Sequence, residues 1–466
     1  MRDFRLEFSP FIFIVIRKVE IVKQVNEHSA ARIVGIVSSR NAQLYQNMVI
    51  QDGHLPITIT AMSDDGEEAV VFQGVTTSIE LQSVGNVTTM TTEAKSGSYL
   101  MDINEHYRSF QDSDVVHSKV LDLLGTSYAD YGFTLRNDGQ DLPLGQFTAQ
   151  YWETDWEFAK RLASRLNTFL VPADTLPGIQ FYFGIPNLEE FILEDSVDYR
   201  VIMDYTTTDG KIRKGLQCAG EADALCYVVE QREIYAVGDA VQFQNMTLYV
   251  DRIVTTFSSQ ELLHTYYLRH KHGLRTPRVQ NDRMIGASLD AQVLAVERDE
   301  VQVQIIGDEN TDQTIVQWFP YATVYSSPDG TGWYAMPEPG DSVRLYIPGN
   351  EEKRAVVLNA VHEASEARSN PDIKSMRTKY GKEIRFTPNT IVMTNNAGME
   401  ISIIDGEGVR IESDKNIFIK AECDIDITSG TGMSMLAADS VVVQQGGTSL
   451  VVDDNIAFVG GELRMQ

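Results

Sequence analysis

The 466-residue sequence predicts a mainly β protein whose C-terminal part is a β-helix, and three observations lead to this fold class. Apolar residues recur in pairs every eight residues between Ile401 and Val443. Short alternating apolar runs, separated by glycine, proline and aspartate, occupy most of the chain before them. Clear helical spacing is confined to a stretch that follows Ser98. Hydrophobic residues make up 43% of the chain, which is enough for several folded cores.

The apolar pairs of the C-terminal segment have an internal spacing of two, which places both side chains on one face of a strand. Polar or turn-forming residues such as Asp405, Gly406 and Asp424 lie between the pairs. We interpret the period as a short strand, a bend and another short strand that faces the same core, as in a β-helix or prism. The predicted core residues are Ile401, Ile403, Val409, Ile411, Ile417, Ile419, Ile425, Ile427, Met433, Met435, Val441 and Val443.

Three copies of this segment are predicted to wind together into a trimeric intertwined β-helix. The inward side chains contribute at most ~1.5–3 kcal/mol each when they are buried. Ordering the backbone costs at least ~1 kcal/mol for every residue of the segment. One copy alone is therefore barely stable, and it also has unpaired strand edges. Winding with two further copies closes those edges and fills the centre of the prism.

The chain is predicted to consist of five parts. They are residues 1–97, a first β-barrel; 98–190, an inserted α/β segment; 191–275, a second β-barrel; 276–365, an OB-like barrel; and 366–466, a connector followed by the β-helix. The apolar run Phe11–Ile16 is too short to span a membrane and is interpreted as a buried strand. No secretion signal is evident at the start of the sequence.

Two amphipathic helices are predicted in the inserted segment. The first covers Asp114–Leu124 and stops at Gly125. The second begins after Thr154, which forms a capping box with Glu157 three residues later. Its apolar stripe, which includes Trp156, could form an aromatic binding face, but we interpret it as a core face.

The OB-like barrel is predicted from five or six short strands in the third domain. The candidate strands are Ala291–Glu297, Val301–Ile306, Thr314–Phe319, Gly332–Met336, Ser342–Ile347 and Ala355–Val361. Such barrels often bind oligonucleotides or sugars. This one lacks the basic groove with interleaved aromatic residues that binding of a single strand requires.

Composition argues against several classes of function. The formal charge of −27 opposes binding to nucleic acid and to anionic membranes, so no specific nucleic acid is expected as a partner. The cysteines Cys218, Cys226 and Cys423 form no CxxC motif, and we expect buried, reduced thiols. None of the hydrolase, metalloprotease or nucleotide-binding motifs occurs. The sequence therefore predicts no catalytic residue, no cofactor and no metal.

Four short motifs resemble those of VgrG proteins and of phage tail hub proteins of the late-control-D group. The most specific is Y-x-E-T-D-W-x-F-x-x-R-L-A, matched by Tyr151, Glu153, Thr154, Asp155, Trp156, Phe158, Arg161, Leu162 and Ala163. The others are Arg108-Ser109-Phe110-Gln111, Phe181-Tyr182-Phe183-Gly184 and the run from Trp333 to Val343 that contains Met336-Pro337-Glu338-Pro339-Gly340-Asp341. Their order along the chain is more specific than any one of them.

The resemblance implies the fused hub and membrane-puncturing spike of a contractile injection system, such as a phage tail, a tailocin or a type VI system. It implies a homotrimer whose barrels join a hexameric tail tube protein, contacts with other baseplate proteins, and a needle driven into the target cell envelope. The motif residues would serve as scaffold. No lysozyme-sized insertion precedes the needle and no His-x-His follows His362, so a separate PAAR-type tip protein is expected near Met465-Gln466. We expect assembly in the bacterial cytoplasm without a signal peptide, and delivery to the outside on contraction.

Two alternatives remain at this stage. A trimeric β-helix tailspike that degrades surface glycan would need carboxylates and aromatic residues on the prism, such as the pair Asp424 and Asp426. These two acids flank Ile425 and point away from the predicted core, and no tryptophan follows Trp333. A receptor-binding fibre would need a bulky C-terminal head, whereas thin repeats occupy the last residues of the sequence.

Overall fold

The fold was analysed from a computed structural model that describes residues 4–63, 66–131, 134–137, 141–186, 189–194, 196–217, 221–258, 261–362, 364–454 and 456–459. Cys218 and the expected tip end at Met465-Gln466 lie outside these ranges. The chain forms two compact units, Met1–Glu363 and Ala364–Gln466. The mainly β class predicted from the sequence is confirmed.

A 12-stranded sheet dominates the first unit. Its first half contains β1 (Phe4–Ser9), β2 (Val15–Gln24), β3 (Ala30–Val37), α1 (Ser39–Asp52), β4 (Pro56–Ser63), β5 (Glu68–Val84) and β6 (Val87–Ser96). An inserted segment follows with β7 (Glu105–Phe110), α2 (His117–Gly125), β8 (Thr134–Asn137), β9 (Thr148–Thr154), α3 (Asp155–Arg165), β10 (Leu170–Pro172) and β11 (Gln180–Phe183). The second half contains β12 (Glu190–Ile192), β13 (Tyr199–Met203), α4 (Tyr205–Arg213), β14 (Leu225–Gln231), β15 (Ala240–Phe243), β16 (Met246–Ser258) and β17 (Glu261–Arg269).

The strands of the two predicted barrels join in this one sheet. Strand β2 pairs antiparallel with β16 from Val19↔Phe257 to Gln24↔Arg252. The strand order is β1-β4-β5-β6-β3-β2-β16-β17-β14-β13. Outside this order, β15 pairs with β16, and β12 pairs with β15. Separate apolar cores lie under the two halves. The prediction of a buried strand at Phe11–Ile16 was wrong, because only Val15 and Ile16 belong to β2 and Ile12 and Ile14 are 67% and 65% exposed. The contact between β2 and β16 joins segments over 200 residues apart and leaves no local signal in the sequence.

His264 lies at this seam, on β17 between Leu262 of one core and Tyr266 of the other. Its Nδ1 is 2.7 Å from the hydroxyl of Thr255, and its Nε2 is buried without a hydrogen-bond partner in the described part of the chain. Burial, with a smaller contribution from the charge of Lys23, lowers the pKa of His264 to about 4.

Helix α1 was missed by the sequence analysis, which interpreted residues 1–97 as β throughout. Ser38 caps the helix by accepting a hydrogen bond from the backbone of Asn41, and Gly53 ends it with a φ of +68°. Tyr45 is its fully buried anchor, and its hydroxyl accepts a hydrogen bond of 2.6 Å from the backbone N–H of Ile12. Among the helix positions 39–48, Tyr45 is the one buried side chain, so this part of the helix has a weak apolar stripe.

The inserted segment contains the two predicted helices. Helix α2 begins three residues later than the predicted Asp114, and α3 begins directly after its N-cap residue Thr154. Trp156, Phe158 and Leu162 are buried in its core, which confirms the core interpretation of this helix face. Gly97 and Gly178 lie so close that a Cβ on Gly97 would be 1.9 Å from the carbonyl oxygen of Gly178. This approach requires glycine and fixes the segment against the first half.

The third domain forms a nearly closed five-stranded sheet in the order β20-β19-β18-β21-β22. The strands are β18 (Ala287–Glu297), β19 (Glu300–Ile305), β20 (Phe319–Pro320), β21 (Ser342–Ile347) and β22 (Val356–Leu358). A bridge between Tyr321 and Val357 brings the two ends of the sheet together. Two predicted strands were wrong: Thr314–Phe319 contributes only its last residue, and Gly332–Met336 follows a loop closed by the bridge Ser326↔Gly332.

The second unit contains two antiparallel sheets. One is a meander of β23 (Lys374–Arg377), β24 (Glu383–Phe386), β25 (Thr390–Thr394), β26 (Met399–Ile404) and β27 (Gly408–Ser413), and the other joins β28 (Val441–Gln445), β29 (Thr448–Val452) and β30 (Ile456–Val459). The first two apolar pairs therefore face each other across an antiparallel hairpin. Gly406 and Gly408, with φ of +80° and +118°, permit the tight turn between them.

The His264 environment predicts a pH dependence that one substitution should remove. As pH falls below about 6.5, the unfolded chain protonates this imidazole while the folded chain does not until about pH 4. We expect the wild-type protein to lose about 2–3 kcal/mol of stability between pH 7 and 4.5 relative to His264→Gln. Urea unfolding of both proteins at the two pH values measures the difference.

His272→Gln is the matched control, because His272 is exposed in the turn after β17. Asp239, whose pKa burial raises to about 6, acts in the opposite direction in every protein and cancels from the comparison. Equal pH dependence in wild type and His264→Gln would contradict the assignment.

Candidate functional site

The motif residues of the inserted segment meet in a buried polar junction, which we call the Arg161 junction. Helix α3 positions it. Thr154 accepts a hydrogen bond from the N–H of Glu157, and the Glu157 carboxylate accepts one from the N–H of Thr154. This capping box sets the start of α3, so that Arg161 lies two turns later on the buried side.

The Arg161 guanidinium, 2% exposed, is held by two carboxylates. Its Nε and Nη2 donate to Glu153 at 2.8 and 2.7 Å, and its Nη1 donates to Glu352 at 2.6 Å. Nη2 also donates to the carbonyl of Ala149 at 2.6 Å. Glu352 accepts a second hydrogen bond from Arg165 at 2.6 Å. Two arginines and two glutamates thus balance their charge inside the protein.

The electrostatics of the Arg161 junction follow from this geometry. Burial alone would raise the pKa of Glu352, but the charges of Arg161 and Arg165 hold it below its usual value. Burial lowers the pKa of Arg165 to about 10, against the attraction of Glu352. Glu352 and the two arginines are therefore charged at neutral pH, and each depends on the others for compensation.

Asp155 organises a second buried cluster beside the first. Its carboxylate is fully buried and accepts hydrogen bonds from Arg108 at 2.6 Å, Gln150 at 2.8 Å and the hydroxyl of Tyr128 at 2.7 Å. Burial and the charge of Asp155 raise the pKa of Tyr128, so its hydroxyl keeps its proton and donates. This cluster fixes β7, β9 and the residues after α2 to the start of α3.

The Arg-Ser-Phe-Gln motif attaches the inserted segment to the third domain. The N–H of Ser109 donates to Asp308 at 3.0 Å, and its hydroxyl donates to the same carboxylate. Gln111 donates two hydrogen bonds here, from its N–H to the side-chain oxygen of Gln313 at 2.9 Å and from its side-chain amide to the carbonyl of Val303 at 3.1 Å. Phe147 packs edge-on against Phe319 in the core of the third domain.

Residues 275–281 form the linker between the second half and the third domain, and hydrogen bonds hold this linker along its length. Thr276 accepts hydrogen bonds from Asn26 at 2.9 Å and from Asn167 at 3.2 Å. The N–H of Val279 donates to the buried hydroxyl of Ser164 at 2.8 Å. Asn281 donates to the carbonyl of Tyr151 at 2.8 Å. Residues of α3 and β9 therefore hold the linker in place.

A serine, a histidine and an aspartate also come together, and sequence reasoning did not find them. Nδ1 of His28 is 2.9 Å from the hydroxyl of Ser98, and Nε2 is 3.3 Å from Asp102. Ser98 is 1% exposed, and its hydroxyl also lies 2.9 Å from that of Ser96. Asp102 in turn accepts a hydrogen bond of 2.5 Å from Thr154. The buried hydroxyl is closed to a substrate, and the cluster anchors the start of α3 to the first half.

The predicted spike residues of the second unit are placed in three groups. Ile401 is opposite Ile411, and Ile403 is opposite Val409, on β26 and β27. Val441 and Val443 lie on β28 opposite Val452 and Leu450. The remaining residues lie between β27 and β28 in a segment without strand pairing, and they are Ile417, Ile419, Ile425, Ile427, Met433 and Met435. Each member of this third group is at least half exposed in one chain.

The five-stranded meander has one apolar face, which we call the apolar meander face. Cross-strand partners form two rows on it, namely Met376, Ile384, Met393, Ile401 and Ile411, and Phe386, Ile391, Ile403 and Val409. Ile401 is 45% exposed and Val409 is 70% exposed. On the opposite face the buried Val392 lies between Arg385 and Ser402, and Arg410 follows Ser402 in the same row. A continuous apolar surface of this kind marks an interaction site.

The described residues contain no group of three or more histidine, cysteine or acidic side chains arranged to hold a metal ion. None of the helices in those ranges has the length and apolarity needed to span a membrane. Cys226 is buried as expected, but Cys423 is exposed because it lies in the unpaired segment before Ile425.

No protein-family model matches the sequence, and no curated protein is similar to it. Solved structures do match. The E. coli c3393 protein, a type VI secretion component with structural similarity to the T4 tail proteins gp27 and gp5, superposes with a TM-score of 0.55 at 11% identity, over 77% of this chain and 100% of that chain. A chain of the lidless PdpA–VgrG complex gives 0.57 at 10% identity, over 88% and 98%. The half-lidded Francisella PdpA–VgrG complex gives 0.56 at 8%, over 88% of each chain.

These likenesses show that the chain has the fold of VgrG-type hub–spike proteins, which confirms at the level of fold the resemblance carried by the motifs. The motif residues on β7, β9 and α3 lie in the Arg161 junction and its neighbouring clusters, where buried contacts such as Arg161–Glu352 and Ser109–Asp308 join separate parts of the fold. The motif of the third domain is largely exposed, and Trp333 is 58% exposed.

Breaking the Arg161 junction should destabilise the first unit strongly. Glu352→Gln leaves two buried guanidinium groups with one carboxylate, and we expect a loss of about 3–5 kcal/mol in the free energy of unfolding. Glu351→Gln is the matched control, because Glu351 forms a surface pair with Lys353 and its loss should cost less than about 0.5 kcal/mol. Urea unfolding followed by tryptophan fluorescence measures both. Similar values for the two variants would show that the junction is not needed.

Proposed function

We propose that this protein is the hub and membrane-puncturing spike of a contractile injection system. The observation that carries the proposal is the apolar meander face, which belongs to a chain with a VgrG-type fold and which has no cover within the described residues of its own unit. Its function would be mechanical, with the first unit attached to the tail and the second unit forming the needle.

Three copies would cover the apolar meander face. Each of the nine apolar residues on this sheet face contributes roughly 1.5–3 kcal/mol of stabilising free energy when it is removed from water. The unpaired segment between β27 and β28 repeats the same apolar pairs, so three such segments would continue the buried seam toward the tip. The homotrimer and the intertwined β-helix are supported by this repeat and by the energetic argument that one copy alone is barely stable.

The first unit would connect the needle to the particle. Within it, the Arg161 junction, the Ser109–Asp308 contacts and the fixed linker bind the two-half sheet to the third, OB-like domain. Buried ion pairs and hydrogen bonds would therefore transmit a force applied to the sheet to the third domain. The proposed partners are a hexameric tail tube protein at the hub, other baseplate proteins, a PAAR-type tip protein and the target envelope.

Assembly in the bacterial cytoplasm and release on contraction are part of this proposal. We also propose that the protein has no catalytic activity. Ser98, His28 and Asp102 form a serine–histidine–aspartate cluster, but the Ser98 hydroxyl is buried and a substrate cannot reach it. Release of reducing sugars from envelope preparations would instead favour the glycan-degrading alternative.

Charge placed in the needle core should dissociate the trimer. Ile417→Asp or Ile425→Asp would bring three carboxylates into one layer, each costing several kcal/mol, on the order of 2–7. We expect monomers by multi-angle light scattering at concentrations where the wild type is trimeric. Asp426→Asn, one residue from Ile425 on the outward side, is the control and should remain trimeric. Intact, heat-resistant trimers of Ile425→Asp would contradict the winding of three chains.

The second unit should trimerise without the hub. Ala364–Gln466 is compact by itself, so we expect this fragment to form trimers and to lack binding to a tail tube protein. Co-sedimentation with polymerised tube, compared with the full chain, measures the second property. Tube binding by the fragment would assign the docking surface to the needle and not to the hub.

A further inference from the structure

We propose that neighbouring copies of this chain join their 12-stranded sheets edge to edge, through antiparallel pairing of Ser78–Val84 of β5 with β13 of the next copy. The proposal rests on the trimer proposed above and adds a second contact between copies, in the hub. It commits to a second copy of this chain as the occupant of two open strand edges.

The first open edge belongs to the second part of β5. The pairing of β5 with β4 stops at Val75↔Pro56, whereas its pairing with β6 continues from Ser78↔Glu93 to Val84↔Val87. On the side away from β6, the described residues provide no strand beside Ser78–Val84. An edge of this length presents a row of free backbone N–H and C=O groups that can accept another strand.

The second open edge is β13, at the far end of the same sheet. It pairs with β14 from Tyr199↔Val229 to Met203↔Leu225, and no described strand lies on its other side. Its apolar side chains are unusually exposed, with Tyr199 at 45%, Val201 at 44% and Met203 at 38%. A β strand that exposes both its edge and its apolar side chains is poorly stable against water unless another strand covers it.

Charge distinguishes these two edges from β1. Strand β1 carries Arg5 and Glu7, whose side chains are 81% and 54% exposed, and such charges protect an edge against pairing. Ser78–Val84 has one charge, Glu80, and β13 has one charge of opposite sign, Arg200. Neither forms an ion pair with another described residue. Each can therefore serve as the cross-strand partner of the other.

Strand direction permits the pairing. Every step from β5 through β6, β3, β2, β16, β17 and β14 to β13 is antiparallel. Seven such steps leave β13 running opposite to β5. Rotation about an axis along the strands keeps these directions, so β13 of a rotated copy meets β5 in antiparallel orientation.

The buried face of the sheet also continues across the proposed contact. Ile79 is joined to the seam by directly paired, buried residues, which are Thr92, Ile33, Val19, Phe257 and Leu262. Leu262 and Tyr266 lie on one face of β17, and Tyr266 pairs with Val229, which pairs with Tyr199. Ile79 and Tyr199 therefore belong to the same face. Placing Glu80 opposite Arg200 sets Ile79 opposite Val201 and Leu81 opposite Tyr199, so apolar groups meet on that face.

Amide hydrogen exchange of the full-length trimer tests the proposal. We expect alternate amides in Ser78–Val84 and Tyr199–Met203 to exchange at least ~tenfold more slowly than the outer amides of β1. Glu80→Arg or Arg200→Glu alone should remove the protection of both segments, and the double variant should restore it. Glu7→Arg on β1, the edge whose charges oppose pairing, is the matched control and should leave the exchange rates of both segments unchanged.

The outcomes separate this contact from the trimer itself, when light scattering is measured on the same samples. A trimer in which both segments exchange as fast as β1 would overturn the edge contact and leave the proposed needle intact. A monomer would overturn both. Protection that arises only after a tail tube protein is added would assign the edges to that partner and overturn the pairing between copies.

Discussion

The burial of the Arg161 guanidinium is the constraint on which the first unit depends. A buried charge is tolerated only when its partners are all in place, and here Glu153 comes from β9 and Glu352 from the turn between β21 and β22. The third domain therefore supplies a carboxylate that the inserted segment cannot do without. Arg165 also donates a hydrogen bond to the same glutamate and depends on it for charge compensation. This reciprocal dependence makes the inserted segment and the third domain parts of one folded unit.

Local signals in the sequence predicted local structure well. The capping box at Thr154 and Glu157 is present, and the apolar stripe of α3 lies in a core. The pairs at Ile401, Ile403, Val409 and Ile411 do lie on one strand face each. Their period of eight, however, is satisfied by an antiparallel hairpin as well as by one side of a prism, since both place two apolar residues on each short strand. Turn glycines decide between the two, and the period alone does not contain that information.

The missed features depend on distant contacts. Glu352 stands in the run Asn350-Glu351-Glu352-Lys353, which has the composition of a solvated turn, and nothing in it distinguishes the buried acid from its exposed neighbour. Joining β2 to β16 is equally hidden, because strands of two similar halves carry the same alternation whether they form two barrels or one sheet. The cluster of His28, Ser98 and Asp102 combines residues from three elements with no shared motif. Long-range pairing is thus the part of this fold that pattern reasoning did not reach.

The fixed linker at Thr276, Val279 and Asn281 has a consequence for how the first unit melts. A tether of free chain would let the third domain open independently, with its own transition on heating. Here the side chains of Ser164 and Asn167, at the end of α3 and just beyond it, bond to the linker backbone, and Asn281 of the linker donates to the carbonyl of Tyr151. Loss of either neighbour releases those contacts, so the sheet and the third domain share a single cooperative transition, and the calorimetric and van't Hoff enthalpies of that transition coincide.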